Sequence, residues 1–345
     1  MKVSLIKEKY HKYKERLDEK HTGKEEILLP STFVICLKNL KFNMPSFAIE
    51  TKQLSFTFGG GRKVVDNLSL QVPHSSIFGF LGPNGAGKTT TMRLLTGLLR
   101  REEDNIYLNG QSLKKTLPFI FKDIGTLIET PSLYLHLNAI DNLKIIATLR
   151  NLDVKKIEPI LETVGLQKDA KRKVKEYSLG MKQRLAIAMA LLPDPQMILL
   201  DEPANGLDPS GIIQIRELLI RLNREQGKTV FVSSHLLSEV EKMCTHVAII
   251  HKGVLQFQGD MNSLRQSAEG KTVKLKISNT EEWKTTIAEK FSHLHWNKDG
   301  ELIAPINELS EVSQLNTALV NAGVPVISIQ PSGGLEEWFV QMTKN

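Results

Sequence analysis

From about Phe47 the chain alternates short apolar runs with longer amphipathic segments. Apolar runs of four to eight residues predict buried strands, and apolar positions at helical spacing predict helices between them. The predicted strands are 48–58, 64–65, 68–72, 76–81, 105–108, 196–200, 229–232 and 247–250. The predicted helices are 88–99, 178–192, 212–225 and 236–243, and residues 134–176 are expected to be mostly helical. Strands that alternate with helices indicate an α/β sheet domain.

The pattern changes near residues 268–270. Val273, Leu275 and Ile277 alternate with polar residues, and a helix, a hairpin turning at 298–300, another helix and a strand follow. This βαββαβ order is the ferredoxin-like arrangement, so we expect a small C-terminal α+β module over 270–345, closed by a last helix at 335–342. Residues 1–45 carry dense charge of both signs and are interpreted as a charged N-terminal extension.

Composition narrows the class of protein only slightly. The net charge of +7 arises from 45 basic and 38 acidic residues, and fits an anionic ligand or a negatively charged membrane face. No basic stripe with interleaved aromatics is present, so nucleic-acid binding is not expected. Cys36 and Cys244 lack metal-ligand spacing, which suggests reduced thiols in a reducing compartment. No apolar run is long enough to span a bilayer, and because the first residues are charged rather than apolar, a secretory signal is not expected.

The most specific motif is the segment GPNGAGKTT at residues 82–90, which directly follows a predicted strand. Its glycines let the backbone curl so that N–H groups point at phosphate oxygens, and the following helix aims its positive end at the same anion. Lys88 adds a cation for the outer phosphates, and Thr89 offers a hydroxyl to Mg²⁺. The expected nucleoside-triphosphate site consists of Gly82, Pro83, Asn84, Gly85, Ala86, Gly87, Lys88, Thr89 and Thr90.

Two further segments carry chemistry. The apolar strand Met197–Leu200 ends in Asp201 and Glu202; Asp201 can hold magnesium through water, and Glu202 can polarise an attacking water. Ser178 stands where a helix N-cap would be. A capped helix start with Gly180 behind it is either a second phosphate-binding surface or an ordinary cap, and this segment alone leaves both open.

Together these motifs resemble the ATP-binding subunits of ATP-binding-cassette (ABC) transporters, over roughly residues 46–265, with a helical subdomain at about 130–190. The resemblance implies a P-loop nucleoside-triphosphatase fold in which Lys88, Glu202 and His235 are catalytic. It also implies that Ser178, Leu179, Gly180 and Met181 act as a signature on the ATP of a second chain. Leu207 and Asp208 match the family's dimer-contact loop. Phe58 matches the aromatic residue that stacks on adenine, although an ordinary core phenylalanine remains an alternative.

The chain departs from the common family pattern at three positions. Glu129 stands where a glutamine is usual, and Leu179 and Met181 replace a common glycine and glutamine. These departures resemble the branch that exports bacitracin or lantibiotic peptides. Glu129 could complete a magnesium site with Thr89 and Asp201, or it could be a solvent-facing loop acid.

The resemblance implies an ATP-hydrolysing subunit that binds ATP and Mg²⁺ and lies peripherally on the cytoplasmic face of the membrane. Its expected partners are separate transmembrane permease subunits, which would dock at 127–142, and a second copy of itself or a related subunit. The expected function is to power export of a peptide antibiotic. The alternative is a non-transport cassette ATPase that acts as a soluble regulatory nucleotide switch. The C-terminal module either pairs subunits or is a packed appendage without chemistry.

Overall fold

The computed structural model describes residues 47–100, 103–129, 132–268, 272–297, 300–306, 308, 310–332 and 335–343. The predicted N-terminal extension, Cys36 and the tip of the C-terminal hairpin at Lys298 and Asp299 lie outside these ranges. Residues 269–271, where the sequence pattern changes, also lie outside them, so the domain limits remain predictions.

The described residues contain sixteen strands and eleven α-helices. The strands are β1 (Ile49–Thr51), β2 (Leu54–Thr57), β3 (Lys63–Leu68), β4 (Gln71–Val72), β5 (Ile77–Leu81), β6 (Ile106–Leu108), β7 (Gln111–Ser112), β8 (Ile124–Leu127), β9 (Met197–Leu200), β10 (Thr229–Ser234), β11 (His246–His251), β12 (Val254–Asp260), β13 (Thr272–Ile277), β14 (His295–Trp296), β15 (Leu302–Pro305) and β16 (Val326–Ser332). The helices are α1 (Lys88–Leu95), α2 (Leu113–Thr116), α3 (Ala139–Arg150), α4 (Ile157–Thr163), α5 (Leu179–Leu191), α6 (Pro209–Gln226), α7 (Leu237–Met243), α8 (Met261–Ala268), α9 (Thr280–Lys290), α10 (Ser310–Asn321) and α11 (Leu335–Thr343).

A six-stranded sheet with the order β12-β11-β5-β10-β9-β8 forms the centre of the molecule. All its pairings are parallel except that of the edge strand β12, and every residue of β5 and β9 is buried. Helices cover both faces of such a sheet, which explains why these strands are continuous apolar runs. The register sets Leu81 beside Ser234 and Leu200 beside Val232. The loops after β5, β9 and β10 therefore emerge together at one edge, where α/β sheets bind their ligands.

The strand predicted over 48–58 is wrong as a single element. It is two strands, because Gln53 between them has a left-handed backbone (φ 50°) that turns the chain. β1 joins the antiparallel sheet β4-β1-β6-β7, whereas β2 pairs with β3 in a separate hairpin. The helix predicted over 88–99 ends earlier, at Leu95, since Gly97 also adopts a positive φ of 65°. The strands β8 and β12 were not predicted.

The helical segment is as predicted, with α3 and α4 packing on α5 and on each other. The helix expected over 178–192 is α5, and Ser178 caps it by accepting a hydrogen bond from the backbone N–H of Met181 at 3.2 Å. Within the described part of the chain, no helix combines the length and apolar character required to cross a membrane.

The C-terminal strands form a second antiparallel sheet with the order β14-β15-β13-β16. This is the ferredoxin-like order, so the element sequence expected for this segment is observed. The module has its own apolar core, which includes Leu275, Leu302 and Leu319. The final helix α11 packs on α7 and α8, and its Trp338 ring meets Phe257 edge-on at 5.8 Å.

Candidate active site

The glycine-rich loop connects β5 to α1 and is shaped by close backbone contacts. Gly87 caps α1 with φ 107°, and Gly85 has φ 79°. A Cβ at Gly87 would lie 2.7 Å from the Val64 carbonyl oxygen, and one at Gly82 would lie 2.4 Å from that of Ile250. Side chains at these two positions would clash with backbone carbonyl oxygens, so the loop needs glycine there. The first N–H groups of a helix have no partner within it, so the start of α1 can bind an anion that this loop holds.

Lys88 ties this loop to the end of β9. The side chain is only 5% exposed. Its Nζ donates to the carbonyl oxygens of Gly82 at 2.7 Å and Pro83 at 3.2 Å, and lies 3.1 Å from Glu202 Oε1. A buried ammonium requires this degree of compensation, because burial of an unpaired charge is costly. The arrangement keeps one cation at the mouth of the loop, where phosphate charge would lie.

The two carboxylates after β9 are held differently. Asp201 is 8% exposed, its backbone N–H donates to Leu127 O at 2.8 Å, and its Oδ1 accepts from Ser233 Oγ at 2.5 Å. Glu202 has a left-handed backbone with φ 47°, and its N–H donates to the same Ser233 hydroxyl at 2.9 Å. Strain at a non-glycine residue persists only where its surroundings enforce it. Here β10 enforces it through Ser233, and the turn aims Glu202 away from Asp201.

His235 completes this group from the end of β10. Its Nδ1 lies 2.5 Å from Glu202 Oε2, so the two Glu202 oxygens contact His235 and Lys88 separately. A carboxylate held between an imidazole and an ammonium has a fixed orientation, which is what a group that positions or activates water requires. Lys88, Glu202 and His235, which the sequence predicted as catalytic, therefore form one connected cluster.

An open cavity lies over the glycine-rich loop. It is lined by Phe58, Arg62, Val64, Asn84, Gly85, Gly87, Lys88, Thr89, Thr90 and Glu202. Phe58 is 38% exposed and meets Phe56 edge-on at 4.9 Å, so it is a wall residue and not a core phenylalanine. Arg62 also lines the cavity, because the β2–β3 hairpin lies over the glycine-rich loop. The sequence analysis missed this residue, although a cation that directly follows the glycine turn at 59–61 was an available signal.

The remaining predicted residues lie apart from this cavity. Glu129 has a positive φ of 68° and forms an ion pair with Arg93 of α1, so its carboxylate engages a cation of this chain. Ser178 and Leu179 are exposed. Leu207 lies near the signature, 3.9 Å from the Cβ position of Gly180, and Asp208 caps α6 by accepting from Gly211 N–H at 3.1 Å. The segments predicted to be the signature and the dimer-contact loop therefore lie side by side, with Ser178, Leu179 and Asp208 exposed.

One buried and one half-buried side chain, Tyr177 and Arg184, support the first part of α5. The Tyr177 hydroxyl donates to Asp169 O at 2.7 Å, and burial raises the pKa of Tyr177, which keeps the donor protonated. Arg184 on α5 donates to the carbonyl oxygens of Val164 and Gly165, each at 2.9 Å, and burial lowers its pKa. A guanidinium remains charged even so, and here it satisfies carbonyls at the end of α4.

Residues 65–205 match the ABC transporter family. The chain is 38% identical over 301 residues to the bacitracin transport ATP-binding protein BcrA of Bacillus licheniformis, covering 86% of this chain and 97% of that protein. It is 41% identical over 194 residues to the lantibiotic transport ATP-binding protein SrtF of Streptococcus pyogenes, covering 56% of this chain and 83% of that protein.

The fold agrees with these sequence relationships. The cbiO1 subunit of the ABC transporter complex cbiONQ from Clostridium perfringens superposes with a TM-score of 0.59 at 21% identity. The superposition covers 72% of this chain and 96% of that chain, and it establishes the P-loop α/β fold. This shared fold, the full-length similarity and the connected cluster at Lys88 identify the chain as a member of the ABC transporter ATP-binding protein family, which binds and hydrolyses ATP.

Proposed function

We propose that this chain powers the export of a peptide antibiotic through separate membrane subunits, giving resistance or self-immunity to its cell. The observation that carries the proposal is the similarity along nearly the whole length of a bacitracin transport ATP-binding protein, together with the catalytic cluster. A soluble nucleotide switch without turnover would not require Glu202 to be held between Lys88 and His235. This hydrolytic geometry favours a transport ATPase over a nucleotide switch without turnover.

Within the site, Lys88 and the N-terminus of α1 bind the phosphates, and Phe58 offers its exposed ring to the adenine. Glu202, oriented by His235, positions the attacking water and accepts its proton at Oε1 or Oε2. Before this step, when ATP binds, Lys88 would move from Glu202 to the phosphates, which would free Glu202 Oε1 for the water. These roles rest on the separate contacts that the two Glu202 oxygens make.

The same site has the donors that Mg²⁺ prefers. Thr89 lines the cavity with a hydroxyl, and Asp201 offers a carboxylate held by Ser233; both are hard oxygen ligands. In the described ranges no group of three or more His, Cys, Asp or Glu forms a metal cluster. That suits a cation taking most of its ligands from phosphate and water. Bound there, Mg²⁺ would offset phosphate charge. Glu129 would join only by leaving Arg93.

We further propose that two copies, or this chain and a related one, close over two ATP molecules. Ser178 and Leu179 are exposed, and none of the four signature residues lines the cavity of its own chain. Gly180, Met181 and the neighbouring Leu207 are half-buried behind them. The N-terminus of α5 therefore offers its N–H groups to the ATP of the other chain. This arrangement would make each site incomplete until a second chain supplies the signature.

The membrane partner would dock along residues 127–142, a segment that includes Glu129. Tyr134 and Leu135 of this segment are about half exposed, which fits a contact surface for an apolar partner. Closure of the two chains would be transmitted there to separate permease subunits, which places this chain peripherally on the cytoplasmic face of the membrane. The peptide would be chosen by those subunits.

The proposal is tested by affinity purification of the tagged chain from detergent-solubilised membranes of its own cells, combined with a gene deletion. We expect one or two multi-spanning proteins to copurify, and the deletion to raise sensitivity to bacitracin-like or lantibiotic peptides. A Lys88→Ala gene should not restore resistance, whereas the wild-type gene should. Recovery of soluble proteins only, with unchanged peptide sensitivity, would contradict the proposal.

A further inference from the structure

We propose that the ion pair between Arg216 and Glu239 positions His235 for ATP hydrolysis. Arg216 belongs to α6 and Glu239 to α7, and neither touches the nucleotide cavity. Arg216 Nη1 lies 2.9 Å from Glu239 Oε2, with the two side chains 19% and 13% exposed. A pair this well shielded is weakly screened by salt, and losing Glu239 leaves the Arg216 guanidinium inadequately solvated. Losing Arg216 leaves Glu239 paired with the more exposed Lys242 of its own helix, at 3.5 Å.

The two helices that this pair joins begin at functional loops. α6 starts directly after Leu207 and Asp208, and Asp208 caps its first turn. α7 starts at Leu237, directly after His235 and Leu236, and has no side-chain cap of its own. The Arg216–Glu239 pair therefore joins the helix that follows the predicted dimer-contact loop to the helix that follows His235.

The rest of α7 is fixed against the central sheet. A Cβ at Gly79 in β5 would lie 2.7 Å from Val240 and 3.0 Å from the sulfur of Cys244, so this side of the helix packs directly on the strand. Leu237 at the start of α7 is also buried, whereas Leu236 before it is 37% exposed and joins the helix to β10 through a short turn that includes Ser234. Glu239 lies in the first turn of α7, one residue before Val240, so its ion pair can set the orientation of the helix end that follows His235.

A cavity runs from the catalytic residues to the ion pair. Glu202, Ser233 and His235 line one part of it, and Arg216, Glu239 and Met243 line another. The ion pair and the loop that carries His235 therefore border the same small cavity, so a change in the pair can reach that loop. This inference rests on the catalytic role proposed for His235 and on the dimer contact at Leu207 and Asp208. Contact with a second chain would shift α6, and Arg216 would pass that shift to α7 and His235.

The experiment compares Arg216→Glu, Glu239→Arg and the double charge swap with the wild type. ATPase kcat and the equilibrium Kd for ATP are measured separately, and thermal unfolding reports folding. We expect each reversal to lower kcat about tenfold or more while ATP Kd changes about twofold or less. The double charge swap should restore kcat to within about threefold of the wild-type value. Glu241→Arg is the matched control. It lies on the same helix and breaks a more exposed pair with Arg265, 3.5 Å away, and should leave kcat unchanged.

The inference is overturned if the single reversals keep wild-type kcat, if the swap does no better than either single variant, or if kcat and ATP affinity fall together with stability. If the reversals do not fold, Glu239→Gln serves instead, with an expected fall in kcat of about threefold at unchanged ATP Kd; wild-type kcat in it would likewise overturn the inference. The variant His235→Ala distinguishes failure of the catalytic role proposed for His235 from failure of the positioning role proposed for the ion pair. Wild-type kcat in that variant refutes the role proposed for His235, whereas loss of kcat there with normal kcat in Glu239→Arg refutes only the positioning pair.

Discussion

His235 Nδ1 lies 2.5 Å from Glu202 Oε2, although the two residues end different strands of the central sheet. The register explains the contact, because β9 and β10 run parallel and their carboxyl ends stop at the same edge. Ser233 adds a second link between these strands by bonding both Asp201 and the Glu202 backbone. The catalytic pair is thus positioned by rigid strands on both sides, which is the arrangement that preorganised catalysis requires.

Replacing Glu202 by glutamine should separate catalysis from binding. The amide keeps the shape of the side chain but cannot accept a proton from water, so we expect ATPase kcat to fall by about 10²-fold or more. ATP Kd should stay within about threefold, because Lys88 and the loop are unchanged. Single-turnover kinetics and equilibrium ATP binding measure the two quantities. Glu217→Gln on the exposed side of α6 is the control, and hydrolysis near the wild-type rate in Glu202→Gln would refute the role given to Glu202.

Alanine at Gly87 should be more damaging than alanine at Gly85. Both residues have positive φ, so alanine costs about 1–2 kcal/mol in either position. Only at Gly87 would the Cβ also meet a backbone oxygen, 2.7 Å away, adding about 1–3 kcal/mol or a displaced loop. Urea unfolding and ATP binding should both show the difference. Equal losses of stability and of ATP binding in the two variants would contradict the close approach of Gly87 to the Val64 carbonyl oxygen.

The buried thiol of Cys244 should make stability fall in alkaline solution. Burial raises the pKa of Cys244, so the folded protein keeps a proton that the unfolded chain releases above its ordinary thiol pKa. The unfolded state then binds fewer protons, and the free energy of unfolding falls by up to about 1.4 kcal/mol per pH unit from this group. Urea unfolding between pH 7 and 10 should show a shallower decline in Cys244→Ala. Parallel curves for the two proteins would contradict the burial of this thiol.

The Glu129–Arg93 pair should matter more for transport than for ATP binding. Neither residue lines the nucleotide cavity, and Glu129 belongs to the proposed docking segment at 127–142. We expect Glu129→Ala to lower peptide resistance in cells by about tenfold while ATP Kd changes by about twofold or less. Arg93→Ala should resemble it if the pair acts as a unit. A large loss of ATP binding at constant Mg²⁺ would instead favour the predicted role of Glu129 at the metal.

The sequence predicted the parts of the site that are local in the chain. The glycine-rich loop, the carboxylates after β9 and the Ser178 cap each follow from a few adjacent residues whose backbone demands are specific. The alternation of strands and helices likewise predicted the central sheet and the ferredoxin-like element order.

Long-range side-chain contacts were not predictable in this way. Arg93 and Arg216 resemble ordinary surface cations in sequence, and only folding sets them beside Glu129 and Glu239. The split between β1 and β2 was missed for another reason. Gln53 takes a positive φ although glutamine has no local preference for it, so the tertiary pairing of the two strands overrides propensity.

The central claim is that each ATP site is completed by the signature of a second chain. It is tested most directly by mixing Lys88→Ala, which loses its own phosphate cation, with Ser178→Arg, which loses the signature surface, and measuring ATPase activity. Each variant alone should be inactive. An equal mixture should regain activity up to about a quarter of the wild-type rate, because about half of random pairs are mixed and each mixed pair has one intact site of two. A mixture that stays inactive, or a Ser178→Arg protein that hydrolyses ATP normally by itself, would contradict the account.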